Sequence, residues 1–206
     1  MTTLRESWLP WLTRQLTGIR AQHLHKEPRQ SIYCVNHTSH LDTLLVLAAL
    51  PANWRRQTRP VVAAGYWGKS ALRRFLTQRI FRAVLLDRQA QGLNPLSNVI
   101  DALQQGDSLI YFPEGTRGPG GALQSLQAGV YYLARAFPQV DIVPVNIQGS
   151  HRILPKGASL PRPATCSVAI GQPLWWEGEG QEEFLKRLRT AMEHTATEHT
   201  AIEQPS

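Results

Sequence analysis

The chain has 206 residues, a mass of 23.1 kDa and 42% hydrophobic residues, which fits one globular domain with a sizeable core and excludes a disordered chain. Its formal net charge of +7 and pI of about 9.9 call for an anionic partner: phospholipid headgroups, an acidic carrier, coenzyme A phosphates or nucleic acid. No run reaches the ~18–20 apolar residues of a membrane span, and Pro10 with its polar neighbours interrupts the N-terminus before a secretory h-region can form.

Taken in chain order, Leu4, Trp8, Trp11, Leu12, Leu16 and Ile19 fall on one helical stripe, with Arg14 and Arg20 off it. Two tryptophans flanked by arginines suit a helix in a membrane interface, and equally a helix packed on the core. Ser31–Val35 reads as a buried strand, 41–50 as a helix and 60–64 as a strand. Residues 69–78 read as a helix and 83–86 as a short strand. Residues 95–105 read as a helix stopped by Gly106-Asp107, 108–112 as a strand, and 123–137 as a helix ending before Pro138. Strands over 140–147 and 165–170 end at Gly149 and Gly171. Phe184, Leu185, Leu188, Ala191, Met192 and Thr195 mark an amphipathic C-terminal helix.

This alternation predicts a single α/β domain whose central, largely parallel mixed sheet is flanked by helices. The expected boundaries are an amphipathic membrane-interface helix over 1–22, the α/β domain over 23–200 and a frayed tail over 201–206. Cys34 and Cys166 lie far apart in apolar runs and read as reduced core thiols, which fits a cytosolic compartment. Arginine and lysine crowd between Arg55 and Arg88, as a solvated face or as the seat of the anionic partner. Only Tyr66, Trp67, Phe75 and Phe81 are interleaved there, too little for a nucleic-acid reader.

Two short runs carry the chemistry. Asn36-His-Thr-Ser-His-Leu-Asp42 follows the strand at 31–35, and Phe112-Pro-Glu-Gly-Thr-Arg117 follows the strand at 108–112. Both fall at strand C-terminal ends, where open α/β sheets bind ligands. A helix starting near Ser39 lets the Asp42 carboxylate reach back to His37, fixing its tautomer and leaving one ring nitrogen to accept a proton. His40 is two residues from Asp42, and on a helix it points elsewhere. A zinc site of His37, His40 and Asp42 lacks a further ligand cluster, and Ser39 lacks the Gly-x-Ser-x-Gly elbow of a serine nucleophile. In the second run Gly115 permits a tight turn and Arg117 can bind phosphate in bidentate fashion, while Glu114 can position Arg117 or the neighbouring loop.

His-x4-Asp followed at this distance by Phe-Pro-Glu-Gly-Thr-Arg resembles the glycerolipid acyltransferase family, the lysophosphatidic acid acyltransferases and their relatives, over roughly residues 30–175. Ala83-Val-Leu-Leu-Asp-Arg88, Val143-Pro-Val-Asn146 and Gly68-Lys69-Ser70 resemble further blocks of that family. The resemblance implies transfer of a fatty acyl group from acyl-CoA or acyl-carrier-protein to a lysophospholipid hydroxyl, most readily that of 1-acylglycerol 3-phosphate. It implies that His37 is the base and Asp42 its orienting partner. Arg117, Gly115, Thr116, Glu114, Lys69 and Arg88 would form the phosphate-binding set. No metal or bound cofactor is implied. The protein would sit at the cytoplasmic side of the membrane, peripheral or monotopic, with membrane lipid as partner and no nucleic acid. After Arg117 the run is Gly118-Pro-Gly-Gly121 and then Leu126-Gln-Ala-Gly129, where the family has Phe-Lys-x-Gly. Glycerol 3-phosphate or a lyso-ornithine lipid as acceptor, and an inactive basic membrane- or nucleic-acid-binding protein, stay open as alternatives.

Overall fold

The structure, a computed structural model, describes residues 8–23, 29–39, 41–64, 81–86, 95–118, 122–153 and 165–203. The described elements are α1 (Trp8–Thr17), β1 (Arg20–His23), β2 (Ser31–Val35), α2 (Asp42–Ala49), α3 (Ala52–Gln57), β3 (Thr58–Ala63), β4 (Val84–Leu86) and α4 (Ser97–Gln104). They continue with β5 (Ser108–Tyr111), α5 (Gly129–Ala136), β6 (Asp141–Gln148), α6 (Ser150–Ile153), β7 (Ser167–Ile170) and α7 (Gln181–Glu203). The helix expected over 69–78 lies outside the described residues.

The strands form one sheet in the order β1-β7-β6-β2-β5-β3-β4. All neighbours are parallel except β6 and β7, so the sheet is the largely parallel, mixed one that the alternation of elements predicts. β2 is central and buried along its whole length, and its alternate residues feed two cores. Ile32 and Cys34 join Leu109, Tyr111, Leu133, Phe184 and Leu188 on one face, covered by α4, α5 and α7. Tyr33 and Val35 join Ile110, Val143, Val145, Leu45 and Trp54 on the other, covered by α2 and α3. Because β1 and β7 run opposite to the rest, their N-terminal ends share one sheet edge with the C-terminal ends of β2, β5 and β6.

Three sequence expectations change. First, of the stripe on α1, Trp11 turns outward while Leu12 is half-buried. Pro10, Thr13 and Thr17 are buried, Trp11 is 54% exposed, and Arg14 Nε donates to the Ala48 carbonyl of α2 at 2.8 Å. The chain enters the sheet at Arg20, so residues 20–22 belong with the α/β domain.

Second, the helix expected over 123–137 is confined to Gly129–Ala136. Tertiary partners claim the main chain ahead of it: Gln124 N donates to Glu114 Oε2 and Gln127 N to the Pro113 carbonyl. Arg189 donates to the carbonyls of Leu123 and Gln124. A segment whose amides and carbonyls are already used cannot close the i to i−4 ladder.

Third, of the basic run only Arg55, Arg56, Arg59 and Arg82 lie among the described residues, and two of these four are engaged rather than solvated. Arg55 is buried and donates to the Leu50 carbonyl, and Arg59 pairs with Asp107 at 2.7 Å. Burial, with Arg14 nearby, holds the Arg55 guanidinium below its ordinary range. No described helix is long and apolar enough to cross a membrane.

Candidate active site

The two motifs meet because their strands are neighbours. β2 pairs with β5 in the register Cys34 opposite Tyr111, so the chain leaves both strands at one edge, side by side. His37 and Phe112 then stack, with ring centroids 4.1 Å apart and planes 28° from parallel. Phe112 gives the imidazole an apolar wall, and the other side of Phe112 packs on the α2 core.

α2 begins at Asp42 rather than near Ser39, and that offset builds the site. The main chain of Thr38 and Ser39 lies over the carboxylate, which sits in the first turn of the helix and has no exposed surface. Asp42 Oδ2 lies 2.9 Å from His37 Nδ1 and accepts the backbone N–H groups of Thr38 at 2.7 Å and Ser39 at 2.8 Å. An ionised carboxylate can only accept, so the pairing places the proton on Nδ1 and leaves Nε2 as an acceptor. The helix N-terminus and the two amides favour negative charge at this point. Asp42 Oδ1 is buried with no hydrogen-bond partner among the described residues, so the carboxylate is held through one oxygen.

The His37 loop is pinned from both sides. Asn36 exchanges two bonds with Ile147 of β6, at 3.0 and 2.7 Å. Thr38 Oγ1 lies 2.7 Å from Oγ of Ser150, a fully buried side chain at the start of α6. From the β5 side, Glu114 Oε1 accepts the His37 N–H at 2.8 Å and the Gly118 N–H donates to the His37 carbonyl at 2.8 Å. Glu114 positions the neighbouring loop, one of the two parts the sequence offered it. Its carboxylate is buried, and its two oxygens bind the His37 loop and the Gln124 segment.

Gly115 has φ +74°, a conformation that a residue with Cβ adopts at a cost, and its N–H closes the turn onto the Phe112 carbonyl at 3.0 Å. Thr116 and Arg117 project from this turn and are exposed. The Arg117 side chain has no hydrogen-bond or ion-pair partner among the described residues, and the turn that carries it meets the His37 loop through the next residue, Gly118. Gln127 occupies the place of the family's lysine; it is exposed and anchored through its backbone to Pro113. His40, Lys69 and Arg88 lie outside the described residues. Sequence reasoning missed Phe112, Ser150 and the two amides on Asp42. The signal for Phe112 was its position directly after β5, whereas nothing local to Ser150 reveals its link to Thr38, 112 residues away.

Comparisons with known proteins bear on the family and the fold. A family model described as Acyltransferase matches residues 18–148, more than half of the chain. A chloroplastic 1-acyl-sn-glycerol-3-phosphate acyltransferase of Arabidopsis thaliana is 27% identical over 140 residues, covering 66% of this chain and 37% of that protein. A 1-acyl-sn-glycerol-3-phosphate acyltransferase of Pseudomonas aeruginosa is 25% identical over 203 residues, 94% of this chain and 76% of that protein. The chain thus spans well under half the length of the chloroplastic relatives from Arabidopsis thaliana (37%) and Brassica napus (41%). The crystal structure of the 1-acyl-sn-glycerophosphate acyltransferase from Thermotoga maritima has the same fold. Its TM-score is 0.75 over 98% of this chain and 79% of that one, at 23% identity. With the family model spanning strands β1 to β6 and both motif turns, the chain belongs to the Acyltransferase family.

Proposed function

We propose that the protein transfers a fatty acyl group from a thioester donor, acyl-CoA or acyl-carrier-protein, to the free hydroxyl of a lysophospholipid, with 1-acylglycerol 3-phosphate as the favoured acceptor. The observation that carries this reading is the His37–Asp42 pair, with its carboxylate held by two backbone amides at the edge where both motif turns leave the sheet. His37 Nε2 takes the proton as the acceptor oxygen attacks the thioester carbonyl carbon. The tetrahedral intermediate collapses with cleavage of the C–S bond, and the imidazolium returns its proton to the leaving thiolate. Asp42 holds the ring and balances the transient positive charge; a positioned base of this kind contributes roughly 10²–10⁴-fold. The thioester is itself the activated group, so the step calls for no bound cofactor.

Arg117 holds the acceptor phosphate, its fork matching two phosphate oxygens, with Gly115 and Thr116 shaping the turn and Lys69 and Arg88 assisting. The relatives named as 1-acyl-sn-glycerol-3-phosphate acyltransferases support this acceptor. The protein works at the cytoplasmic face of a membrane, where its acceptor resides, and the outward Trp11 of α1 supports an interfacial contact.

The test is thiol release by purified protein in detergent, with one acyl-CoA against a panel of lysophosphatidic acid, glycerol 3-phosphate and a lyso-ornithine lipid. Lysophosphatidic acid should give the highest kcat/KM, and His37→Ala should abolish release. Release by His37→Ala at the wild-type rate overturns the base assignment. No release with any acceptor returns the protein to the class of basic membrane-binding proteins.

A further inference from the structure

A polar pocket of about 350 Å³ lies on the same sheet edge as His37, on the side away from Arg117. It is lined by Arg20, Gln148, Gly149, Arg152, Thr165, Cys166 and Ser167. Topology makes it: Arg20 begins β1, Ser167 begins β7 and Gln148 ends β6, and the three face one another in register across the strands. Gly149 closes the wall with φ +81°; a Cβ there would stand 2.7 Å from the Thr165 carbonyl oxygen. At about 4.8 Å per strand, the pocket is on the order of 10–15 Å from the end of β2. It also adjoins the active-site loop, because Ser150, two residues before Arg152, carries the hydroxyl that meets Thr38.

Among the described residues, Arg14 is engaged with Ala48, Arg29 with Asp141, Arg55 with Leu50, Arg59 with Asp107, Arg187 with Glu177 and Glu179, and Arg189 with Leu123. The side chains of Arg20 and Arg152 are exposed and have no hydrogen-bond or ion-pair partner among the described residues, and they line one pocket whose described lining holds no acidic side chain. Two uncompensated guanidiniums held together repel each other, and an anion between them removes that repulsion while satisfying their donors. At about 30 Å³ per water the pocket has room for about ten waters, enough for a substituted phosphate.

We propose that Arg20 and Arg152 form a second phosphate-binding subsite on the catalytic edge, separate from the Arg117 turn. Its ligand is a phosphate group carried either by a lipid headgroup of the membrane surface or by the soluble thioester donor. Only the naming of the soluble source rests on the acyl-transfer reading; the binding itself does not.

The experiment compares the full chain with Arg20→Gln/Arg152→Gln in two binding measurements that need no turnover. One is calorimetry with coenzyme A; the other is sedimentation with vesicles of phosphatidylcholine and phosphatidylglycerol. Arg56→Gln/Arg135→Gln serves as the charge-matched control, because both residues are exposed, unpaired among the described residues and placed toward the opposite sheet edge. The double variant should bind one or both probes about tenfold more weakly, equivalent to ~1.4 kcal/mol. Weakening with coenzyme A identifies the soluble donor, and weakening with vesicles the headgroup. The control should stay near wild type. An equal loss in the control, or no loss with either probe, overturns the subsite. The single variants and a far-UV spectrum guard against misfolding. Because neither assay needs catalysis, failure of the acyl-transfer reading would show separately, as absent thiol release.

Discussion

Replacing Asp42 by Asn tests the active-site geometry most sharply. The side chain is fully buried, and its Oδ2 serves three donors: His37 Nδ1, Thr38 N and Ser39 N. If the amide oxygen of Asn keeps the two backbone donors and His37, it holds the ring but no longer balances the charge that forms on it. If the amide nitrogen turns toward His37, it donates to Nδ1, the proton moves to Nε2, and the base is lost. Either outcome should lower kcat by about 10²–10⁴-fold, or about 3–5 kcal/mol at 1.36 kcal/mol per decade. Stability should fall less. Two charge-assisted bonds from backbone amides become neutral ones, a loss of about 1–3 kcal/mol, partly offset because a charge is no longer buried. In a domain of this size that is roughly 2–10 °C in Tm, so kinetics can be measured well below the transition. The assay is thiol release under saturating acyl-CoA and lysophosphatidic acid for wild type, Asp42→Asn, His37→Ala and the double variant. The double variant should be no slower than His37→Ala, because both changes remove one base. Retention of kcat within tenfold in Asp42→Asn, or independent losses that multiply in the double variant, would refute the pair as a functional unit.

Three further predictions follow from the same structure. Arg117→Ala should raise the acceptor KM by tenfold or more with little change in donor KM or Tm, because the side chain is exposed and has no partner among the described residues; equal effects on both KM values would remove its phosphate role. Gly171→Ala places a Cβ 2.4 Å from Thr195 Oγ1 and 2.9 Å from Pro144 Cγ, so α7 must shift off β6. Urea unfolding should show a loss of about 1–3 kcal/mol, and an unchanged midpoint would mean that the helix is not seated as described. Trp11→Ser should weaken liposome co-sedimentation without lowering Tm, since more than half of the side chain is exposed. A point change is the right probe, because deleting the N-terminus through residue 22 would also remove part of β1.

Cys34 illustrates what an apolar run conveys by itself. Its place in Ser31–Val35 was enough to read it as an inert core thiol. In the structure it has no exposed surface, and burial pushes its thiol well above the ordinary range. Local sequence was equally sufficient for the motif turns at strand ends, because short apolar runs followed by turn residues are visible in the letters themselves. It failed wherever a distant partner decided the outcome. The Gln124–Gln127 segment has helical residues, but Glu114, Pro113 and Arg189 take its backbone groups. β1 reads Arg-Ala-Gln-His, with no strand alternation, and is a strand because the edge of β7 offers it a ladder. For Glu114 the sequence offered Arg117 or the neighbouring loop, and the structure decided for the loop, whose His37 amide it accepts together with that of Gln124.

The sequence by itself determined which side chains are candidates for the chemistry, since a histidine five residues from an aspartate after a buried strand can be read without coordinates. The tertiary structure decided the geometry: which side of the sheet each motif meets, that Phe112 stacks on His37, and that Arg20 and Arg152, far apart in the chain, line one pocket. The physical reason is the pairing of β2 with β5 and the reversal of β7 and β1, both set by hydrogen bonds between segments that share no local signal.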